Sequence, residues 1–500
     1  MSFWTRKSFI ALAIFIFALI PRVMPQNYTT YDEGRFWINR SQNFLNGLET
    51  GDLQQTAQAF HPGVGTMWMG SVGIILDRII SGTDHPQTDN MQYRVNIRLI
   101  MQIMNAASVA IGYLLLLRLI DPHVALLSAI LWASEPFLIA HGSILHVDGL
   151  STSMMMLSFL SGLIALYTSP KHPRRWWVAS AVLGGFAGLT KITTFAVIGI
   201  LFCAAWITKK RQLKFFFEWG FIGIATWFLF YPATWGNLDA VFSNFEWGLE
   251  ITFSGHNNFF LGEPSSHPGV LYYLLSVLLR ITPWLMGGLI LSIFAIRHLK
   301  SLQEKQIVLS FFLYVVLFFA VMYLQSKQLD RYLLPLYPVL CVFAAYGLLN
   351  YFDWRIATSG VILAAAINFI TIYPYPLAYY NPVLGGGYLA DEFIMVGWGE
   401  GIDKVVDYIE QTEDAPCDLT IIAQYSHVLS IHLPCATVIP ADQWEDAINT
   451  ADYVMFYINE LQREYDPVLE AQFSRQAPVY VARINHLEYA YLYAVDSTAP

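Results

Sequence analysis

Charge is what this chain has least of. Asp, Glu, Lys and Arg make up 13% of its 500 residues, against about 25% in an ordinary soluble protein. Hydrophobic residues make up 55%, and the mean hydropathy is +0.45. This excludes a soluble globular protein and leaves a multi-span helical membrane protein. A basic stripe is also lacking. The net charge is −9, with the acidic excess largely in the last quarter, so nucleic acid is excluded as a partner. No Gly-x-Gly-x-x-Gly string occurs, and nucleotide binding is not read from the chain. Cysteines number only four. Cys203 and Cys341 fall in apolar segments and read as packing residues. Cys417 and Cys435 flank two predicted strands, where a disulfide is permitted if that part lies outside the cytoplasm. Pro21 to Pro25 offer no small-x-small cleavage site after the apolar run Phe9 to Ile20. That run is therefore expected to be an uncleaved first span.

Apolar runs are what the chain has in quantity. They lie at 8–25, 97–117, 123–141, 150–168, 176–189, 192–207, 215–233, 283–297, 307–324, 332–349 and 356–373. A helix crosses a bilayer in roughly 20 such residues. Basic clusters occur at Arg6-Lys7, Lys171 to Arg175, Lys209 to Lys214 and Arg297 to Lys305. Placing all of them in the cytoplasm is consistent with about eleven crossings. The N-terminus is then cytoplasmic, and residues 26–96, 234–282 and the tail are outside. The stretch 176–207 is too long for one span and is interrupted by Gly184-Gly185, Gly188 and Lys191. It predicts two short helices meeting at Thr190-Lys191, with Lys191 in a recess. The alternative is a lysine snorkelling from an ordinary helix end.

Composition changes near residue 375. Residues 1–374 read as the membrane domain and 386–500 as a small external soluble α/β domain. Tyr373-Pro374-Tyr375-Pro376 ends the last span, and Gly385-Gly386-Gly387 forms a joint. Gly401 to Glu410 reads as an amphipathic helix. Short β-rich runs follow at 418–423, 435–440, 452–458, 478–484 and 488–494, with a helical stretch near 460–474.

The predicted outer connections gather polar residues on one side. The first holds Asp32, Glu33, Arg35, Arg40 and His61-Pro62-Gly63. The next holds His141, His146 and Asp148, and the large one holds His256 and His267-Pro268-Gly269. The turn after 324 holds Lys327, Asp330, Arg331 and Tyr332. Each has a plain reading alone. Asp32 can cap a helix or pair with Arg35, and Asp148 can cap the segment it begins. His61 and His267 precede Pro-Gly turns. Arg331 can anchor a membrane interface. Together they describe carboxylates beside cations at a membrane cavity. Carboxylates serve as general bases, and Lys or Arg can hold a phosphate.

The order Asp32-Glu33, His61-Pro62-Gly63, Asp148, Gly188-Leu189-Thr190-Lys191 and Arg331-Tyr332-Leu333-Leu334-Pro335 resembles the phospholipid-carrier-dependent glycosyltransferases. These are GT-C fold membrane enzymes, among them glycosyltransferase family 39, the protein O-mannosyltransferases and the aminoarabinose transferases that modify lipid A. Val396-Gly397-Trp398-Gly399-Glu400-Gly401 is similar to a bacterial subgroup. The resemblance implies a polyprenyl-phosphate sugar donor and an inverting transfer. It implies a lipid, glycan or protein acceptor and an active site on the outer face of the cell membrane. It makes Asp32 the general base, Glu33 an acceptor contact and Asp148 the second acid. Lys191 and Arg331 would bind the carrier phosphate. Tyr332, Arg35, His61, His256 and His267 are expected to contact substrate. Metal dependence varies among such enzymes. No metal-ligand spacing stands out in this sequence, and a divalent cation stays open. The competing readings are a transporter or flippase of a lipid-linked substrate, and an inactive homologue that recruits partners.

Overall fold

The computed structural model describes residues 3–24, 28–83, 91–168, 172–209, 213–253, 255 and 257–495. Helices dominate residues 3–372, and a five-stranded sheet follows. Among the described residues seven helices are long and apolar enough to cross a membrane, or nine if each of two bent pairs is one span. The expected connection 26–96 contains two helices, Ile38–Thr50 and Val64–Ser81. The second has the length and hydropathy of a span. Its charges are satisfied locally: Asp77 accepts from Asn96 at 2.7 Å and Arg78 meets Glu49 at 2.6 Å.

Two proline-marked breaks shape the bundle. Helix Pro122–Ser134 turns by 60° into Pro136–Ser143, and Val270–Arg280 turns by 117° into the next helix. A proline lacks the amide that would continue the preceding helix. The breaks meet each other in the protein. Glu135, fully buried, accepts from the amide of Thr282 at 3.2 Å and also from its hydroxyl. Helix Pro173–Thr190 ends at Lys191, which is extended, and a short 3-10 turn leads into Val197–Ile207. The chain thus breaks where the glycines and lysine predict.

The strands are β1 (Asn258–Phe260) and β2 (Glu263–Ser265), a small hairpin, then β3 (Thr420–Ala423), β4 (Thr437–Pro440), β5 (Tyr453–Tyr457), β6 (Tyr480–Ile484) and β7 (Leu487–Ala494). The last five form one sheet in the order β4-β3-β5-β7-β6. β3 runs parallel to both β4 and β5, while β7 is antiparallel to β5 and β6. The disulfide Cys417–Cys435 joins the segments that lead into β3 and β4. This sheet region packs on the membrane part. The Tyr31 amide donates to the Trp398 carbonyl at 2.8 Å, and Asn485 reaches the Ala378 carbonyl at 2.9 Å.

Candidate active site

Asp32 and Glu33 stand at the start of a π-helical turn, Glu33–Trp37. Neighbouring residues on a helix point about 100° apart, so the two acids part company. Glu33 enters the bundle and is fully buried. It takes Arg98 at 2.8 and 2.5 Å and the Leu145 amide at 2.8 Å. It is absent from the cavity wall, unlike the acceptor contact expected of it. Asp32 faces a cavity of about 710 Å³ between the membrane part and the sheet. Ligand sites commonly enclose about 300–1,000 Å³.

Four segments converge on Asp32. Arg331 Nη2 lies 3.1 Å from its Oδ2, and His146 Nε2 lies 3.5 Å from the same oxygen. His146 Nδ1 lies 3.2 Å from Asp148 Oδ2. Lys191 Nζ lies 2.6 Å from Asp148 Oδ1 and 4.0 Å from the centre of the Tyr332 ring. Arg331 Nε approaches Asp148 Oδ2 at 3.4 Å, an ion-pair distance without a hydrogen bond. Trp398 closes the cluster from the sheet side, with Arg331 4.2 Å from its ring centre. Tight backbone contacts make this possible. A Cβ on Gly149 would fall 2.2 Å from the His141 carbonyl, so glycine lets the segments bearing His141 and Asp148 touch. A Cβ on Gly399, which has φ +128, would fall 2.2 Å from the Thr29 carbonyl oxygen, so glycine there lets the chain pass and brings Trp398 over Arg331.

The electrostatics follow from this packing. Burial alone would raise the Asp32 pKa, but the His146 hydrogen bond and the Arg331 and Lys327 charges bring it down to about 2. Burial would lower the pKa of His146, but Asp148 and Asp32 raise it above the ordinary imidazole value. A protonated His146 can donate at both nitrogens, one to each carboxylate. Its 3.2 Å contact with Asp148 Oδ2 is shorter than the 3.4 Å approach of the Asp148 amide to the same nitrogen. His61 behaves oppositely. Burial, then the Arg40 and Lys191 charges, lower its pKa to about 3.

The structure therefore brings Asp32, Asp148, Lys191, Arg331 and Tyr332 together. Arg35 lines the same cavity, its guanidinium 5.3 Å from the Tyr31 ring centre. His61 packs behind the site against Trp37 at 5.5 Å. His267 is exposed beside Gly255 and does not line the cavity. His256 lies outside the described residues. Sequence assigns no role to Arg98 or Trp398 and reads His146 as a local hydrogen-bonding residue; the structure places it between Asp32 and Asp148. Lys327 also lines the cavity, where its charge acts on Asp32. Its sequence signal was its place four residues before Arg331 in one turn.

His141, His146 and Asp148, all buried, offer metal-ligand atoms within 4.8 Å of one another. This cluster was not recognised in the sequence. The donor types suit a transition metal, but the charges do not. Asp148 already carries Lys191 and faces Arg331, so a dication here would sit against two cations. The trio does not fit a metal in this arrangement, and no step is routed through one.

Residues 91–235 match the family model described as dolichyl-phosphate-mannose-protein mannosyltransferase. No curated protein matches the chain. The fold is similar to that of ArnT from Cupriavidus metallidurans in the apo state, with TM-score 0.56, 14% identity and 100% of both chains covered. The same enzyme bound to undecaprenyl phosphate gives TM-score 0.53, 14% identity and 99% of both chains. The whole chain thus has the GT-C membrane fold seen in ArnT, and within it residues 91–235 are similar in sequence to the dolichyl-phosphate-mannose-protein mannosyltransferases.

Proposed function

We propose that this protein moves a sugar from a polyprenyl-phosphate donor to an acceptor hydroxyl or amine, with inversion at the anomeric carbon. The observation that carries the reading is Asp32 in the cavity wall, with Arg331 at 3.1 Å and the Lys191–Asp148 pair adjoining it. The acceptor atom attacks the anomeric carbon as the bond from that carbon to the phosphate oxygen breaks. The bonding pair leaves on the polyprenyl phosphate, and Asp32 takes the acceptor proton. Arg331, Lys191 and Lys327 stabilise the charge that develops on phosphate. An acid with a pKa near 2 is a weak base, and general bases work best near ambient pH. Donor phosphate competes for Arg331, which releases Asp32 to become more basic when substrate is bound.

Several features support an extracytoplasmic site on the cell membrane. The basic clusters at Arg6-Lys7 and Arg297 to Lys305 suit the cytoplasm. The Cys417–Cys435 disulfide suits an oxidising compartment. The division into a membrane domain 1–374 and an external domain 386–500 suits the placement of the sheet. Bound undecaprenyl phosphate in the similarly folded ArnT supports a polyprenyl carrier.

The test is sugar transfer by purified protein in detergent, with radiolabelled polyprenyl-phosphate sugars as donors and a membrane glycolipid and glycan extract as acceptor. Labelled product together with free polyprenyl phosphate is expected. Donor movement that needs sealed vesicles and forms no product would instead favour a transporter.

A further inference from the structure

The cavity above Asp32 has a second wall made by the sheet region. The loops that follow the carboxyl ends of all three parallel strands line it: Tyr425 after β3, Asp442 after β4, and Asn459 with Glu460 after β5. Chain order β3, β4, β5 becomes spatial order β4-β3-β5. The connections from β3 and to β5 therefore run in opposite directions, and a crevice opens between these strands. In open α/β sheets ligands bind at this crevice, outside the carboxyl ends.

Local strain points to the same place. Tyr425, the second residue after β3, has φ +58 and ψ +32. This left-handed conformation is rare for a bulky side chain, and such strain clusters at binding sites. It stacks Tyr425 on Tyr457, at 4.3 Å, and sets its ring 4.8 Å from that of Tyr31, tilted by 53°. Tyr31 is the residue before Asp32. The crevice and the acid are thereby joined through contiguous aromatic contacts.

We propose that this crevice is the acceptor subsite and that its ligand is a saccharide. The proposal rests on the reading of Asp32 as the base of a sugar transfer. The cavity wall carries as many acidic as basic side chains and so selects no net charge. Glu460 is held by Arg463 through one oxygen, while its other oxygen is buried without a hydrogen bond. A carboxylate oxygen is a pure acceptor, so its missing partner is a donor such as a sugar hydroxyl. Tyrosine rings offer apolar faces for the C–H faces of a pyranose and hydroxyls for its polar edge. Strand ends, not a strand edge, face the cavity, so a peptide would lack the main-chain ladder that strand addition requires.

The experiment compares the full-length protein in detergent with a combined variant, Asp442→Ala, Glu460→Gln and Tyr465→Ala. Asp442 and Tyr465 are exposed in the cavity wall, and Glu460→Gln keeps its shape. The probes are a printed array of oligosaccharides, a second array of Ser/Thr peptides, and undecaprenyl phosphate. Melting temperature is read in parallel. The wild type is expected to capture oligosaccharides. The variant should capture them at least tenfold less, with an unchanged melting temperature and undecaprenyl phosphate binding within twofold. Capture of peptides alone, no saccharide capture by the wild type, or undiminished saccharide capture by the variant would overturn the proposal. Absence of undecaprenyl phosphate binding by the wild type would instead sink the donor reading and leave the saccharide result standing.

Discussion

Glu33 and Arg98 form an ion pair with side chains 0% and 3% exposed. Breaking such a pair leaves a charge stranded in a low-dielectric interior, at about 3–5 kcal/mol. Glu33→Gln should therefore lower the melting temperature strongly in detergent. Asp32→Asn should change it little, because Arg331 retains Asp148 nearby. An equal fall in both variants would contradict this division between a positioning acid and a cavity acid. His61 makes a prediction of opposite kind. Its folded pKa of about 3 lies below the ordinary imidazole value of 6.5. The unfolded chain binds a proton that the folded one refuses, so stability rises with pH between those values. The slope reaches at most about 1.4 kcal/mol per pH unit for one group. Thermal melts from pH 6.5 to 4.5 should show a shallower decline for His61→Asn than for the wild type. Parallel declines would remove His61 as a contributor. His146 carries the reverse sign: its raised pKa adds stability that is lost as pH rises through its folded value.

Elements differ in how plainly the sequence announces them. The five strands of the tail lie within two residues of the predicted runs, because short β-rich segments separated by turn residues have few other uses. The break at Lys191 was legible from the length of the apolar run and the lysine within it, while the three glycines stay inside helix Pro173–Thr190 and serve close packing. Helix Val64–Ser81 was not legible as a membrane-type element. Asp77 and Arg78 near its end read as loop charges until Asn96 and Glu49 are seen to satisfy them. The Glu33–Arg98 pairing was equally hidden, because partners 65 residues apart leave no local periodicity. So was the trio His141, His146 and Asp148, whose first member is brought round by a turn that Gly149 permits. The disulfide belongs to this scale as well. It closes a loop with a sequence separation of 18, worth about 3 kcal/mol in the chain-entropy picture. Cys417→Ser with Cys435→Ser should speed proteolysis within residues 415–440 while the membrane helices stay protected. Unchanged cleavage would show that the bridge does not hold β3 to β4.

On the scale of the whole molecule, the bundle supplies the acids and cations and the sheet supplies a lid of loops. Each is incomplete alone: Arg331 comes from the membrane part and Trp398, over it, from the segment leading to the sheet. In the proposed reaction the lipid-linked donor enters the cavity between them from the helices and the acceptor from the loops. This division explains why the charges at the mouth are tied to one another in the free protein. Asp32, Asp148, Lys191 and Arg331 are ion-paired with one another, with His146 between the two acids, and in the proposed reaction the donor phosphate exchanges partners with them. The central claim is that Asp32 is the proton acceptor in sugar transfer. Its most direct test is single-turnover transfer of a labelled sugar from its polyprenyl phosphate by the purified wild type and by Asp32→Asn, with undecaprenyl phosphate binding measured on both. The account predicts a fall in rate of about 10²–10⁴-fold, the span of a lost general base, with carrier binding retained. Undiminished transfer by the folded variant would contradict it.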